Sequence, residues 1–314
     1  MNKFIYLKQS GIFSLLRFFY FKFLKKILKK KKIAFKTIYN TDYNIFNWDD
    51  QGSSLFIRKY FCEWGIEHFF LYTLNNRRKN IFLDIGCHSG YYASLYTKFF
   101  KKIIGFEPSS KCQIALREIK KKNSNFYFYN YFMGKSEKKV LSKQYNSGFA
   151  YFEKSKAHNL FKNYKTKKIQ LTYIDKFVLK NLKNEEISAI KIDTDGIDLD
   201  VLKGAFKTIK RYKPSIMIEC DRDKDQLLSI MKDLNYQVYS FVTSIKKPYN
   251  LTLKKINMND IAMHAKDKVW ATNLVCLYKK FTPKKMFLKQ IEGSIFFGIN
   301  SKKIMRKFPL KSKN

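Results

Sequence analysis

No Cys-x-x-Cys pair occurs anywhere in this 314-residue chain. Its five cysteines (Cys62, Cys87, Cys112, Cys220 and Cys276) are scattered and odd in number, which argues against a disulfide framework and against a zinc site. Reduced thiols in a cytosolic protein are the expectation. Histidine is scarcer still: there are four, and no two stand at metal-ligand spacing. Acids are few as well, 25 Asp and Glu against 63 Lys and Arg, for a net charge of +38. Long uncharged apolar runs are also missing. The most apolar stretch near the N-terminus, Gly11 to Leu28, is broken by Arg17 and Lys22, so a transmembrane helix is not expected. A secretory signal is a poor match, because the apolar core carries charge and no small-residue cleavage site follows.

What the chain does have is enough apolar material for a core. Hydrophobic residues make up 45% of it, which excludes wholesale disorder. The length suits one large domain with extensions. The charge gathers at the ends. Residues 1–41 hold eleven Lys and Arg and no acid; residues 279–314 hold eleven and one acid, Glu292. We expect a basic, aromatic-rich extension over 1–44, a main domain over 45–280 that opens with a cap helix, and a basic tail over 281–314. Such ends attract polyanions, whether nucleic acid or anionic lipid. Ile12, Leu15, Leu16, Phe19 and Phe23 fall on one helical stripe next to the Lys25–Lys32 run. One reading is an interfacial helix that holds a cytoplasmic protein peripherally at the inner membrane face. The plainer one is a helix packing its aromatics on the domain beside a solvated lysine run.

From Ile81 onward, strand-like runs (81–84, 103–107, 126–130, 189–193, 215–219, 237–241, 273–278) alternate with helix-like segments (91–100, 109–122, 198–210, 223–235). This alternation predicts a parallel sheet with helices on both faces. Between the first strand and helix lies Asp84-Ile85-Gly86-Cys87-His88-Ser89-Gly90, a glycine-bearing turn that lets backbone approach a nucleotide cofactor. Glu107 ends the next strand, 23 residues past Asp84, where an acid hydrogen-bonds ribose hydroxyls. Asp193 and Glu219 end two further strands. Four acids on the edge that carries the glycine turn point to one shared site. Asp193, Asp195 and Asp198 loosely suggest a calcium loop, but the twelve-residue pattern and its closing Glu are missing. Asp198 reads as the start of a helix.

Five stretches then converge on a family: Ile81–Tyr92 (IFLDIGCHSGYY), Ile104–Pro108 (IGFEP), Ile169–Asp175 (IQLTYID), Ile187–Ala205 (ISAIKIDTDGIDLDVLKGA) and Pro214–Glu219 (PSIMIE). From about Asn80 to Tyr278 the chain resembles the FkbM-type S-adenosylmethionine-dependent methyltransferases. The resemblance implies an α/β, Rossmann-like class I methyltransferase fold, with a mostly parallel seven-stranded sheet and helices on both faces. It implies S-adenosylmethionine as cofactor. Asp84 and the Gly86–Gly90 turn, His88 included, hold its methionine moiety. Glu107, followed by Pro108, takes the ribose hydroxyls; Asn130 lies near the adenine; Asp193 faces the sulfonium and the methyl acceptor. The chain departs from the family pattern at His88 (usually Asn), at Ser89 (usually apolar), and at Asp195 and Asp198 (usually Glu). Asn146-Ser147-Gly148-Phe149 also replaces a Gly-Ser-Ser-type loop.

His and Asn both tolerate left-handed backbone, so a turn-forming role for His88 is favoured over that of a catalytic base. No proline and no aromatic follow Asp193 in Asp193-Thr194-Asp195-Gly196, which disfavours adenine-type amino methylation. This favours O-methylation of a hydroxyl, as the resemblance also implies, and the leading expectation for the acceptor is a sugar, glycan precursor or other small metabolite. Asp193 and Glu219 are expected to orient or deprotonate the acceptor, and His158 reads as a surface residue. RNA methylation through the basic ends and a non-catalytic binding protein are the competing readings.

Overall fold

The computed structural model describes residues 12–58, 61–63, 65–145, 148–152, 164–219, 223–244, 247–260, 269–271, 273–281, 289–294, 298–299 and 301–311. His158 lies outside them. Three strands show why the middle of the chain forms a sheet covered on both sides. In β3 (Ile81–Ile85, IFLDI) and β10 (Ile187–Ile192, ISAIKI) every residue is buried, and in β11 (Ser215–Glu219) all but the last. Apolar side chains on both faces of a strand are the mark of a two-sided parallel sheet. Phe82, Ala189 and Met217 face one core, with Phe69, Tyr91, Tyr96 and Leu116. Ile81, Leu83, Ile190 and Ile216 face the other, with Phe177, Val201, Ile209 and Leu227.

The second and third strands are β4 (Lys102–Phe106) and β5 (Phe126–Tyr129); β12 (Tyr236–Ser244) and β15 (Asn273–Tyr278) come late in the chain. The spatial order is β5-β4-β3-β10-β11-β15-β12. The pairings from β5 through to β11 are parallel, and β15 runs antiparallel to both neighbours. This is the class I methyltransferase fold, with six strands of the seven pointing one way. The strand order reverses between β3 and β10, and ligands bind at such a switch point, outside the strand carboxyl ends.

The sheet is nevertheless larger than seven strands. It has eleven among the described residues, because β13 (Lys247–Lys255), β14 (Val269–Ala271), β16 (Lys289–Ser294) and β17 (Gly298–Ile299) extend it beyond β12. In β13 and β16 lysines interleave with other residues and hide the alternation, while β14 and β17 are only three and two residues long. A separate four-stranded sheet, β6 (Tyr131–Met133), β9 (Tyr164–Thr172), β7 (Lys138–Tyr145) and β8 (Ala150–Phe152), inserts after β5.

The helices divide likewise. α1 (Ile12–Lys26) is followed by a hairpin of β1 (Lys32–Lys36) and β2 (Asp42–Phe46). The cap, expected as one helix-like run over 55–74, is two helices, α2 (Asp50–Arg58) and α3 (Ile66–Tyr72). Gly65, at φ 86°, restarts the chain at the head of α3. α4 (Tyr91–Tyr96) and α5 (Cys112–Lys122) complete the first core. α6 (Ile174–Asn181), α7 (Asp198–Lys203), α8 (Phe206–Tyr212) and α9 (Lys224–Asp233) cover the other face. The stretch 198–210 was expected as one helix and breaks at Gly204. A Cβ there would stand 2.0 Å from the Gly134 carbonyl oxygen, so only glycine lets this corner seat against the inserted sheet. α10 (Ser301–Lys307) belongs to the expected basic tail but buries Ile304 in the first core, with Phe308 just beyond it. His68 of α3 shares hydrogen bonds with the Tyr39 hydroxyl (2.5 Å) and the Phe308 carbonyl (2.7 Å). It thereby ties the hairpin, the cap and α10 together.

Candidate active site

At the carboxyl end of β3 the backbone leaves the sheet through residues that L side chains seldom allow. Gly86, His88 and Gly90 all have positive φ, at 74°, 46° and 81°. At Gly86 a Cβ would fall 1.8 Å from the Asp193 carbonyl oxygen, so this position demands glycine for space as well as conformation. His88 takes the left-handed turn expected of it. Glu107 pins the turn: its carboxylate accepts the N–H groups of His88 and Ser109, each at 2.8 Å. Ser89 is fully buried, and its hydroxyl shares a 2.5 Å hydrogen bond with the Tyr43 hydroxyl, which also donates to Asp49. The departure from an apolar residue at this position is therefore matched by a partner from the N-terminal hairpin.

The turn opens on a cavity of about 370 Å³, within the range of small-molecule sites. Gly86, His88, Glu107, Pro108, Asp193 and Glu219 line it. The other expected residues, Asp84, Gly90 and Asn130, stand behind that lining. Asp84 is fully buried, and neither of its carboxylate oxygens has a hydrogen-bond partner of good geometry. Burial pushes it up to about 6, against the pull of Lys191 and the Ala93 backbone. The Asn130 amide oxygen is likewise buried and unpartnered, while Tyr131, Phe132 and Met133 form the adjoining wall. Asp198 heads α7, as expected, and closes the turn before it by accepting from the Thr194 N–H (2.7 Å), the Thr194 hydroxyl (2.9 Å) and the Gly196 N–H (3.1 Å).

Several residues that the sequence reading did not assign also line the cavity. Lys191, buried in β10, donates to Asp193 at 2.6 Å, and its ammonium lies 4.9 Å from the centre of the Tyr92 ring. Burial works against that charge, yet the carboxylates of Asp193, Asp84 and Glu63 hold its pKa above the ordinary lysine value. Burial likewise opposes ionisation of Asp193, but Lys191 and a hydrogen bond with Glu219 keep it below the usual carboxylate range. Glu219 goes the other way, raised by the Asp193 charge and then by burial. The two form an ionised carboxylate beside a protonated carboxyl. Glu63, from the cap, accepts from Tyr92 and from the Asn273 amide at 2.5 Å, and burial raises its pKa. On the opposite side the His88 ring lies between Trp48 (5.7 Å, edge-on) and Phe149 (5.6 Å). Phe149 stacks on Tyr151, whose hydroxyl reaches Asp195.

The Glu107 carboxyl is raised from 4.5 to about 8 by burial, against the two N–H groups it accepts. Its folded value lies above its unfolded one. Its contribution to stability is thus complete below about 4.5 and is lost as pH rises through about 8. Glu107→Gln is expected to flatten the fall of Tm across that window. An unchanged slope in thermal melts would contradict this assignment.

Residues 84–238 match the model of the methyltransferase FkbM domain. Over these residues the chain is similar to methyltransferase FkbM domains. Among solved structures it is similar to methyltransferase FkbM from Methylobacillus flagellatus KT, at 17% identity over 72% of this chain and 52% of that one, TM-score 0.38. The match thus spans about half of that relative's length. It is also similar to an rRNA methylase from Streptococcus thermophilus (14% identity, 68% of this chain and 94% of that one, TM-score 0.35). A Streptococcus mutans methyltransferase structure in complex with SAH gives 13% identity over 68% and 95%, TM-score 0.39. No curated protein matches the chain. The cofactor of the FkbM domain is S-adenosylmethionine, and the residues present fit it. Gly86 leaves room for close backbone approach, Glu107 has lone pairs for a ribose diol, and two buried polar groups, Asp84 and Asn130, await partners.

Proposed function

We propose that the protein methylates a hydroxyl oxygen of a sugar, glycan precursor or other small hydroxylated metabolite. One observation carries the reading. Asp193 and Glu219, at the ends of neighbouring parallel strands, line the same cavity as the Gly86–Glu107 cradle, with the first pushed toward ionisation by Lys191 and the second away from it by Asp193.

When bound, S-adenosylmethionine supplies an electrophilic methyl group on sulfur. The chain supplies placement and proton management. Gly86, His88, Glu107 and Pro108 would hold the cofactor, with Asp84 acting from behind the turn. Asp193 would take the proton that the acceptor hydroxyl loses. Glu219 keeps its own proton and orients the acceptor. Lys191 acts through Asp193 by holding it ionised. Glu63 and Asn273 offer further hydrogen bonds to a polyhydroxylated ligand, and Trp48 and Phe149 offer flat apolar faces to a sugar ring. His88, held between these rings in a strained turn, is better suited to shaping the pocket than to moving a proton.

A methyl-transfer assay with labelled cofactor against fractionated lysate tests this. Label is expected in the polysaccharide or small-molecule pool and is lost in Asp193→Asn. Label confined to RNA would overturn the reading.

A further inference from the structure

The first helix does not use its best apolar side chains to hold itself to the domain. α1 packs on α2 through Phe21, which meets Phe56 at 5.1 Å, and Leu24 is buried one turn on. Arg17 donates to the Ile57 carbonyl at 2.7 Å and to Ser14. Phe13, Leu16, Phe23 and Ile27 point elsewhere; Tyr20, on the same face, stays largely exposed although its ring stacks on Phe56 at 6.3 Å. The five recur at i, i+3, i+7, i+10 and i+14, which is one helical face. Their exposures are 70, 56, 55, 42 and 67%. The sequence stripe had placed Phe13 off this face and Leu15 on it; Leu15 is half-buried, Phe19 of that stripe is exposed, and docking through Ser14, Arg17 and Phe21 fixes the rotation. Scattered exposed apolar residues are ordinary, but a continuous row marks an interaction surface.

The charge beside this row says what covers it. Residues 12–32 carry eight Lys and Arg and no acid. Lys22 and Lys25 lie over the rings of Phe18 and Phe21, at 4.3 and 5.1 Å. Lys26 ends the helix and Lys29–Lys31 continue the border beyond it, while Lys32 pairs with Glu118 at 2.8 Å. An apolar row edged by lysine is the pattern of a helix lying in the plane of an anionic lipid surface. No described helix is long and apolar enough to cross a membrane, which leaves the in-plane mode. A protein partner would need acids to match the lysines, whereas RNA would match the lysines and leave the apolar row in water.

We infer that α1 docks the protein on an anionic membrane, inserting Phe13, Leu16, Tyr20, Phe23 and Ile27 between headgroups while the lysines meet phosphates. The inference does not depend on the methyl acceptor.

The test is sedimentation of the full chain with vesicles of phosphatidylcholine alone or mixed equally with phosphatidylglycerol. Binding is expected to the mixed vesicles and not to phosphatidylcholine. The Phe13→Ser, Leu16→Ser, Phe23→Ser triple variant and the Lys22→Gln, Lys26→Gln, Lys29→Gln triple variant are each expected to bind about tenfold more weakly or less. Unchanged melting of both variants shows that the domain is intact. The inference is overturned if the full chain stays in the supernatant, or if the apolar variant sediments as the parent does, since charge alone would then explain binding. It is also overturned if single-stranded RNA binding falls in the apolar variant as much as vesicle binding does.

Discussion

Asp193→Asn is expected to lower kcat by about 10²–10⁴-fold, the usual contribution of a positioned proton acceptor, with cofactor affinity unchanged. The amide keeps the size of the carboxylate and can still accept from Lys191, but it cannot take the acceptor's proton. Lys191 retains the carboxyl groups of Asp84 and Glu63 beside it, so the fold survives. The measurement is kcat with the acceptor pool that the wild type labels, alongside calorimetric titration of the cofactor. A kcat within a few-fold of wild type would remove Asp193 from the chemistry. A loss of cofactor binding would make it a binding residue instead.

The second large effect is on stability. Lys191 is the cation that faces the buried carboxylates of Asp193, Asp84 and Glu63. Lys191→Met keeps the length and packing of the side chain but leaves those acids without it. Removing one partner of a buried ion pair costs about 3–5 kcal/mol, or roughly 10 °C in Tm for a chain of this size. The pH dependence follows from Asp193. Its folded pKa is depressed in the wild type, so its stabilisation is present above the unfolded value and is lost as pH falls through the folded one. Without Lys191 that contribution vanishes and the acids bind protons instead. The gap between variant and wild type is therefore widest near neutral pH and narrows toward acid. Urea unfolding at several pH values measures it; a gap independent of pH would mean that only packing was lost.

The frame of this site was legible because strands buried on both faces leave continuous apolar runs, and acids at their ends stand out. Asp84, Glu107, Asp193 and Glu219 were found that way, and the sheet order sets them along one edge. Lys191 left a signal that went unused: a lysine inside the apolar run ISAIKI has to be buried, and a buried lysine needs carboxylates. Glu63 and Asn273 left none. They reach the cavity from the cap and from β15, and nothing local distinguishes them from surface residues. Trp48 depends in the same way on where the hairpin carries it. The edge strands β13 and β16 were hidden because lysine stands at positions where period-two patterning needs a clear polar–apolar contrast.

The clasp at His68 has a consequence for how the molecule is made. Its ring joins Tyr39 and Phe308, and the second bond spans 240 residues. Ile304 and Phe308 fill the same core as Phe69 and Phe70. As the chain leaves the ribosome, the cap and its neighbours emerge early but must wait, with this part of their apolar surface open, for a segment made more than two hundred residues later. Closing so long a loop delays the last step of assembly.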